Sequence, residues 1–184
     1  MSINCCIISP NGTSPVPLPQ EKFFFQQHSV KVVLDCNENG YPGNSGGYWQ
    51  GTGHVTLTNQ RIVFVANPPS AEFLSLAIPI THFKGWKLEQ PWFGANYVAG
   101  IVVPVIGGGL SKGGTATITF KEGGAIEFTT ILQGLMERMA ETNEMPQHFE
   151  PLPAYEAASA SQPQASTAAT QPYNDLPPSY DDLH

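Results

Sequence analysis

The stretch Gly51-Thr52-Gly53-His54-Val55-Thr56-Leu57-Thr58-Asn59-Gln60-Arg61-Ile62-Val63-Phe64-Val65 changes direction once. Val55 and Leu57 alternate with His54, Thr56 and Thr58, a period of two that separates an apolar face from a polar one. Asn59-Gln60 interrupts the pattern, and a run of β-branched and aromatic residues follows from Arg61. Two such runs joined by a two-residue break read as a hairpin. Upstream, Val30, Val32 and Leu34 alternate with Ser29, Lys31 and Val33. Downstream, strands are expected at Phe73–Ile80, Phe83–Glu89, Tyr97–Val103, Thr115–Lys121 and Ala125–Phe128, with glycine or proline marking the gaps.

One segment departs from the period of two. Phe128, Ile131, Leu132, Leu135, Met136 and Met139 recur at helical spacing, which predicts a single amphipathic helix whose apolar stripe belongs to the core. The domain is therefore expected to be mainly β (α+β). About seven short antiparallel strands form a partly closed barrel, and one C-terminal helix caps its open end.

Composition divides the chain. All eight Lys and Arg residues precede Pro146, together with ten of the fifteen acids, so residues 1–146 carry −2. The 38 residues from Gln147 carry five acids and no base, so −5. That segment is rich in Ala, Ser, Gln and Pro and lacks apolar runs, so it cannot bury enough surface to offset its chain entropy. The expected organisation is a flexible leader over residues 1–20, a folded domain over 21–143 and a disordered Pro-rich tail over 144–184. Three cysteines without paired spacing give no disulfide framework and point to a reducing compartment. The first residues lack the pattern of a secretory signal. The most apolar window, Val98–Gly109, is shorter than the roughly 20 residues that span a bilayer. A cytoplasmic or nuclear location is the expectation.

The hairpin from Gly51 to Phe64 resembles the opening of GRAM domains, which are PH-like. Gln90-Pro91-Trp92-Phe93-Gly94-Ala95-Asn96-Tyr97, Gly107-Gly108-Gly109 and Thr119-Phe120-Lys121-Glu122-Gly123-Gly124-Ala125-Ile126-Glu127-Phe128 are more particular. They resemble the WW domain-binding protein 2 family, in order and at compatible spacing, over roughly residues 21–142. Cys5-Cys6 and the Gly/Asn/Ser-rich stretch Asn37–Gly47 depart from that pattern. The resemblance implies a PH-like fold and adaptor work for WW-domain proteins. In animal members it also implies transcriptional coactivation and association with chromatin.

Pro177-Pro178-Ser179-Tyr180 carries the binding chemistry such a role needs. Two prolines fix φ near −65° and favour a polyproline II helix, so little entropy is lost on docking. Their rings suit an aromatic-lined groove, and Tyr180 reaches a neighbouring pocket. Leu152-Pro153-Ala154-Tyr155 is a weaker copy that keeps one proline and the tyrosine. The partners expected are WW-domain proteins, either a HECT-type ubiquitin ligase or a transcriptional regulator.

Other readings compete. Gly43-Asn44-Ser45-Gly46-Gly47 imitates the surroundings of a serine-protease nucleophile, but only His28 and Asp35 precede it as partners. That is too little chain to build a protease scaffold. The glycines at 107–109 and 113–114 fit neither a dinucleotide nor a P-loop fingerprint. His28, His54, His82, His148 and His184 show no ligand spacing, so neither metal nor cofactor is expected, and no enzymatic activity. No basic stripe exists to meet nucleic-acid phosphates. The alternative function is peripheral membrane binding through the PH-like domain, with Lys84 and Lys87 as the candidate headgroup contacts. Cys5 and Cys6, flanked by Ile3, Ile7 and Ile8 in a leader expected to be unstructured, are the candidates for S-acylation.

Overall fold

The computed structural model describes residues 1–36, 46–110 and 112–142. Among them run eight strands: β1 (Ser2–Ile3), β2 (Phe23–Asp35), β3 (Tyr48–Thr58), β4 (Arg61–Ala66), β5 (Ser75–Pro79), β6 (Phe83–Glu89), β7 (Tyr97–Val102) and β8 (Gly114–Phe120). A short 3-10 turn (Ile80–His82) links β5 to β6, and α1 (Ala125–Thr142) follows β8. The strands form one antiparallel sheet in the order β1-β5-β4-β3-β2-β8-β7-β6.

The hairpin is formed as its pattern predicts, with Thr56 opposite Val63 and Leu57 opposite Ile62. Thr58 closes the turn: its hydroxyl oxygen accepts from the backbone N–H of Gln60 at 3.0 Å and of Arg61 at 2.9 Å. The side-chain bond supplies the partners that the reversing backbone lacks.

Val30, Val32, Leu34, Val55 and Leu57 point into the core, as alternation requires. Strand β2 pairs with β3 along most of its length but with β8 only over Val30–Asp35. Its first half thus has one edge unpaired, and Phe25 there turns to the helix instead. Its ring meets Phe128 of α1 at 5.6 Å and Phe120 of β8 at 6.3 Å, both edge-on. Phe128, Leu132 and Leu135 are buried in the same core, so the helix closes the gap that β8 leaves. No helix among the described residues is long and apolar enough to cross a membrane.

Two expectations are corrected. Ala125–Phe128 is not a strand but the first turn of α1. The reversal that precedes it puts Gly123 at φ 89° and Gly124 at φ 91°, a region glycine enters without cost. A Cβ on Gly124 would also meet Phe25 Cζ at 3.2 Å.

Residues 1–20 are not a flexible leader. Ser2 pairs with Ala77 and Ile3 with Leu76, which adds an eighth strand to the seven expected. The Met1 side chain is wholly buried in the core. Cys6 and Ile8 pack on Val63, Val65 and Ala77, the outward-facing residues of β4 and β5. The segment is therefore held by apolar burial on both faces of the sheet.

A buried ion pair ties its end down. The Arg61 Nε donates to Glu21 Oε1 at 2.9 Å, with the two side chains 2% and 0% exposed. The same oxygen accepts from the Thr58 hydroxyl at 2.8 Å, and Oε2 accepts from Leu18 N–H at 2.6 Å. Arg61 Nη2 donates to the Val16 carbonyl at 3.2 Å. Removing one partner of such a pair leaves a buried charge uncompensated. Arg61→Ala is accordingly expected to lower the unfolding free energy by about 3–5 kcal/mol, measured by urea denaturation. A loss below 1 kcal/mol would contradict this account of the N-terminal segment.

Candidate functional site

Lys84 and Lys87 lie three positions apart, so a regular strand would send them to opposite faces. The register of β6 on β7 shifts between them: Lys84 faces Ile101 and Lys87 faces Ala99. Gly85 sits in that irregularity at φ 55°. The extra residue returns both lysines to the solvent face, while Phe83, Trp86 and Leu88 turn inward. The Trp86 indole N–H donates to Met136 Sδ on α1 at 3.2 Å, which fixes this hairpin to the helix. The structure thus gives the two lysines one outward surface, with Glu89 beside them and the apolar Ile101, 58% exposed, across from Lys84.

At the hairpin's tip the loop Gln90–Asn96 projects two aromatic rings. Trp92 is 99% exposed and Phe93 96% exposed. Its base is held by the Asn96 carbonyl, which accepts from Phe120 N–H at 2.9 Å. Side chains of this size normally supply core or interface burial, and here they touch almost nothing. The motif that carried the family resemblance therefore ends in the most exposed aromatic pair among the described residues.

The cysteines are placed differently from expectation. Cys5 and Cys6 are half-buried in the ordered N-terminal segment, and the Cys5 Sγ donates to the Ile3 carbonyl at 3.1 Å. The free, unstructured setting that made them candidates for acylation is not what the fold provides. Cys5 lines a small apolar pocket of about 100 Å³ with Ile7, Val16, Pro17, Leu18, Pro19 and Arg61. Burial and the nearby Asp35 push the Cys36 thiol up to about 11, which leaves it protonated and unreactive near neutral pH.

Two histidines that showed no ligand spacing in the sequence are neighbours in space. His28 on β2 and His54 on β3 stack edge to face, ring centroids 4.5 Å apart. Sequence spacing hides the pair: only the register of Gln26 on Thr56 and Gln27 on Val55, carried one residue further, brings His28 opposite His54. Pro177, Pro178 and Tyr180, and Leu152, Pro153 and Tyr155, lie outside the described residues, as do Gly43, Asn44 and Ser45.

A bent antiparallel sheet closed by one C-terminal helix defines a PH-like domain. The fold is similar to that of the Vps36 N-terminal PH domain, with a TM-score of 0.51 and 12% identity over 77% of this chain and 95% of that one. No family model matches the chain. It is 36% identical over 167 residues to the UPF0664 stress-induced protein C29B12.11c of Schizosaccharomyces pombe, covering 89% of this chain and 94% of the relative. The chain belongs to the UPF0664 family. Its homologues include WW domain-binding protein 2 of Mus musculus and of Homo sapiens, each 40% identical over 76 residues. Those 76 residues are 41% of this chain and 29% of either relative, so the match spans under a third of their length.

Packing at the hairpin is tight where Gly100 passes under Phe83 and Trp86. A Cβ there would stand 2.6 Å from Phe83 Cε2 and 2.8 Å from Trp86 Cβ. Gly100→Ala is expected to cost about 1–3 kcal/mol through overpacking, read as a lowered melting temperature and a shift in Trp86 fluorescence.

Proposed function

We propose that this protein is a non-enzymatic adaptor that recruits WW-domain proteins through Pro177-Pro178-Ser179-Tyr180, with the PH-like domain, the N-terminal segment from Met1 included, as its folded body and residues 144–184 as its binding tail. The observation that carries the reading is the pairing of that motif with homology to proteins named for binding WW domains. The chemistry is the one derived above: a pre-ordered polyproline segment in an aromatic groove, and a tyrosine in the adjoining pocket. A HECT-type ubiquitin ligase or a transcriptional regulator is the partner, and the cytoplasm or nucleus the place. Coactivation on chromatin, on this reading, proceeds through partners rather than by direct contact with DNA.

Leu152-Pro153-Ala154-Tyr155 adds a second, weaker ligand. Tyr155 and Tyr180 are separated by 25 positions, a distance of roughly 25–30 Å for a flexible chain. Tandem WW domains would hold the second motif at an effective concentration on the order of mM.

Titration of the full-length protein into a single WW domain tests the main motif. Tyr180→Ala is expected to lose at least about 2 kcal/mol of binding, as for other pocket-filling anchors, while Asp182→Ala changes little. Unchanged affinity for Tyr180→Ala would sink the proposal. Against a tandem WW protein, Tyr155→Ala should remove the avidity gain and leave single-domain binding intact.

The exposed Trp92–Phe93 tip favours a second reading, peripheral attachment to an anionic membrane surface. Interfacial aromatic rings insert at the headgroup level, and each lysine near such a surface contributes about 1 kcal/mol; Lys84 and Lys87 share the hairpin. Co-sedimentation with phosphatidylserine vesicles should then fall in the Trp92→Ala/Phe93→Ala variant and in Lys84→Gln/Lys87→Gln. Equal sedimentation of all three proteins would exclude it.

A further inference from the structure

Strand β2 carries a register shift where it passes β3. Gln26 pairs with Thr56 and Gln27 with Val55, and the pairing resumes one residue out of step at Val30 and Gly53. The register before the shift sets His28 opposite His54, and Ser29, at φ 55°, is the residue left over. In this bulge the imidazole planes lie at 86°, and the Nδ1 of each ring is in hydrogen-bond contact with the Nδ1 of the other. Two ring nitrogens so placed hold one proton between them, since one must donate and the other accept.

Asn67, immediately after β4, assigns the proton. Its Nδ2 lies 3.3 Å from His54 Nε2. With the amide nitrogen donating, His54 accepts at Nε2, carries its own proton at Nδ1 and gives it to His28. The His28 Nδ1 lone pair therefore faces His54. Burial, and then the neighbouring His28, lower the His54 pKa, and a metal-binding imidazole is a neutral one. His28 and Asn67 are exposed and His54 is half-exposed, so solutes reach the pair.

We propose that His28 and His54 form a binding site for a borderline divalent transition-metal ion, Zn²⁺, Ni²⁺ or Cu²⁺, which takes the place of the shared proton between the two Nδ1 atoms. Imidazole is the ligand type these ions share. Metal–nitrogen bonds of about 2.0–2.1 Å at a tetrahedral angle place the two nitrogens roughly 3.3 Å apart. Small side-chain rotations at this exposed position reach that spacing. The proton balance closes without an external acid or base. The His54 proton moves from Nδ1 to Nε2, and the Asn67 side chain turns its oxygen to accept it. That contact holds the liganding ring in place, as outer partners of metal-bound histidines commonly do. Among the described residues no third His, Cys, Asp or Glu joins the pair, so water completes the coordination and the affinity belongs in the micromolar range.

The test is calorimetric titration of metal-free, full-length protein with CuCl₂ and with ZnCl₂ at pH 7.5. One ion per chain is expected for the wild type and for His148→Asn/His184→Asn. At least tenfold weaker binding is expected for His28→Asn and for His54→Asn. Asn67→Ala should weaken binding about tenfold through loss of the orienting contact. Binding should weaken as the pH is lowered from 7.5 to 5, because protons compete with the metal ion for the ring nitrogens. Wild type that binds neither ion, or a His28→Asn/His54→Asn variant that binds like wild type, overturns the proposal. Electron paramagnetic resonance of the Cu²⁺ complex decides the case even if a variant fails to fold. Hyperfine coupling to two imidazole nitrogens supports the site, and coupling to fewer than two overturns it.

Discussion

The fold turns on strand β2 being asked to pair with one neighbour along its whole length and with the other along only half. From Val30 to Asp35 it stands between β3 and β8. From Phe23 to Gln27 it has β3 alone. A backbone edge left unpaired beside an apolar core must be covered, and α1 covers it. The cover is aromatic: Phe25, Phe120 and Phe128 meet as one cluster, with Phe120 and Phe128 centroids 5.2 Å apart. The two halves of β2 also differ in register, and the bulge at Ser29 absorbs the difference. The helix dock and the histidine pair are thus two outcomes of one constraint on a single strand.

The alternation around Val55 and Leu57, and the helical stripe from Phe128 to Met139, made the sheet and the helix legible in the sequence. The folded N-terminal segment was not read, although it left a trace. Arg61-Ile62-Val63-Phe64-Val65 is apolar on both faces of its strand after the first residue, and a strand with one solvated face would alternate more cleanly. Ile62 and Phe64 fill the core; Val63 and Val65 lie under Cys6 and Ile8. A continuous apolar run asked for a second cover, and the isoleucines at positions 3, 7 and 8 were available to supply it. Short segments of that kind carry too few residues to show a period. They are recognised only by the vacancy they fill.

Bulges explain what the sequence could not show. A pattern with period two carries no mark of an inserted residue, so it could not say that Lys84 and Lys87, named together as headgroup contacts, share a face, and it left His28 and His54 without ligand spacing. Each bulge also has a left-handed residue at its centre, Gly85 at φ 55° and Ser29 at φ 55°. Glycine announces such a position to a reader; serine does not. The pairing of Lys84 with Lys87 was therefore within reach of the sequence, whereas the histidine pair needed the register itself.

On the adaptor reading proposed above, the folded body and the tail motif rest on different physics, and that difference bears on how each would contribute to binding. A polyproline ligand needs no tertiary structure, because its two prolines set the backbone in advance. A surface such as the β6–β7 hairpin needs all of it: the bulge at Gly85, the bare Cα of Gly100 under Phe83 and Trp86, and the indole bond to Met136. Fixing that hairpin rigidly only to hold Trp92 and Phe93 in water yields nothing to stability, since neither ring is buried. On the membrane-attachment reading, the packed base and the unburied tip are parts of one contact surface, where ordering the anchor in advance lowers the entropy lost on docking. In the hairpin that ordering comes from packing, with Gly100 under Phe83 and Trp86 and the indole bonded to Met136.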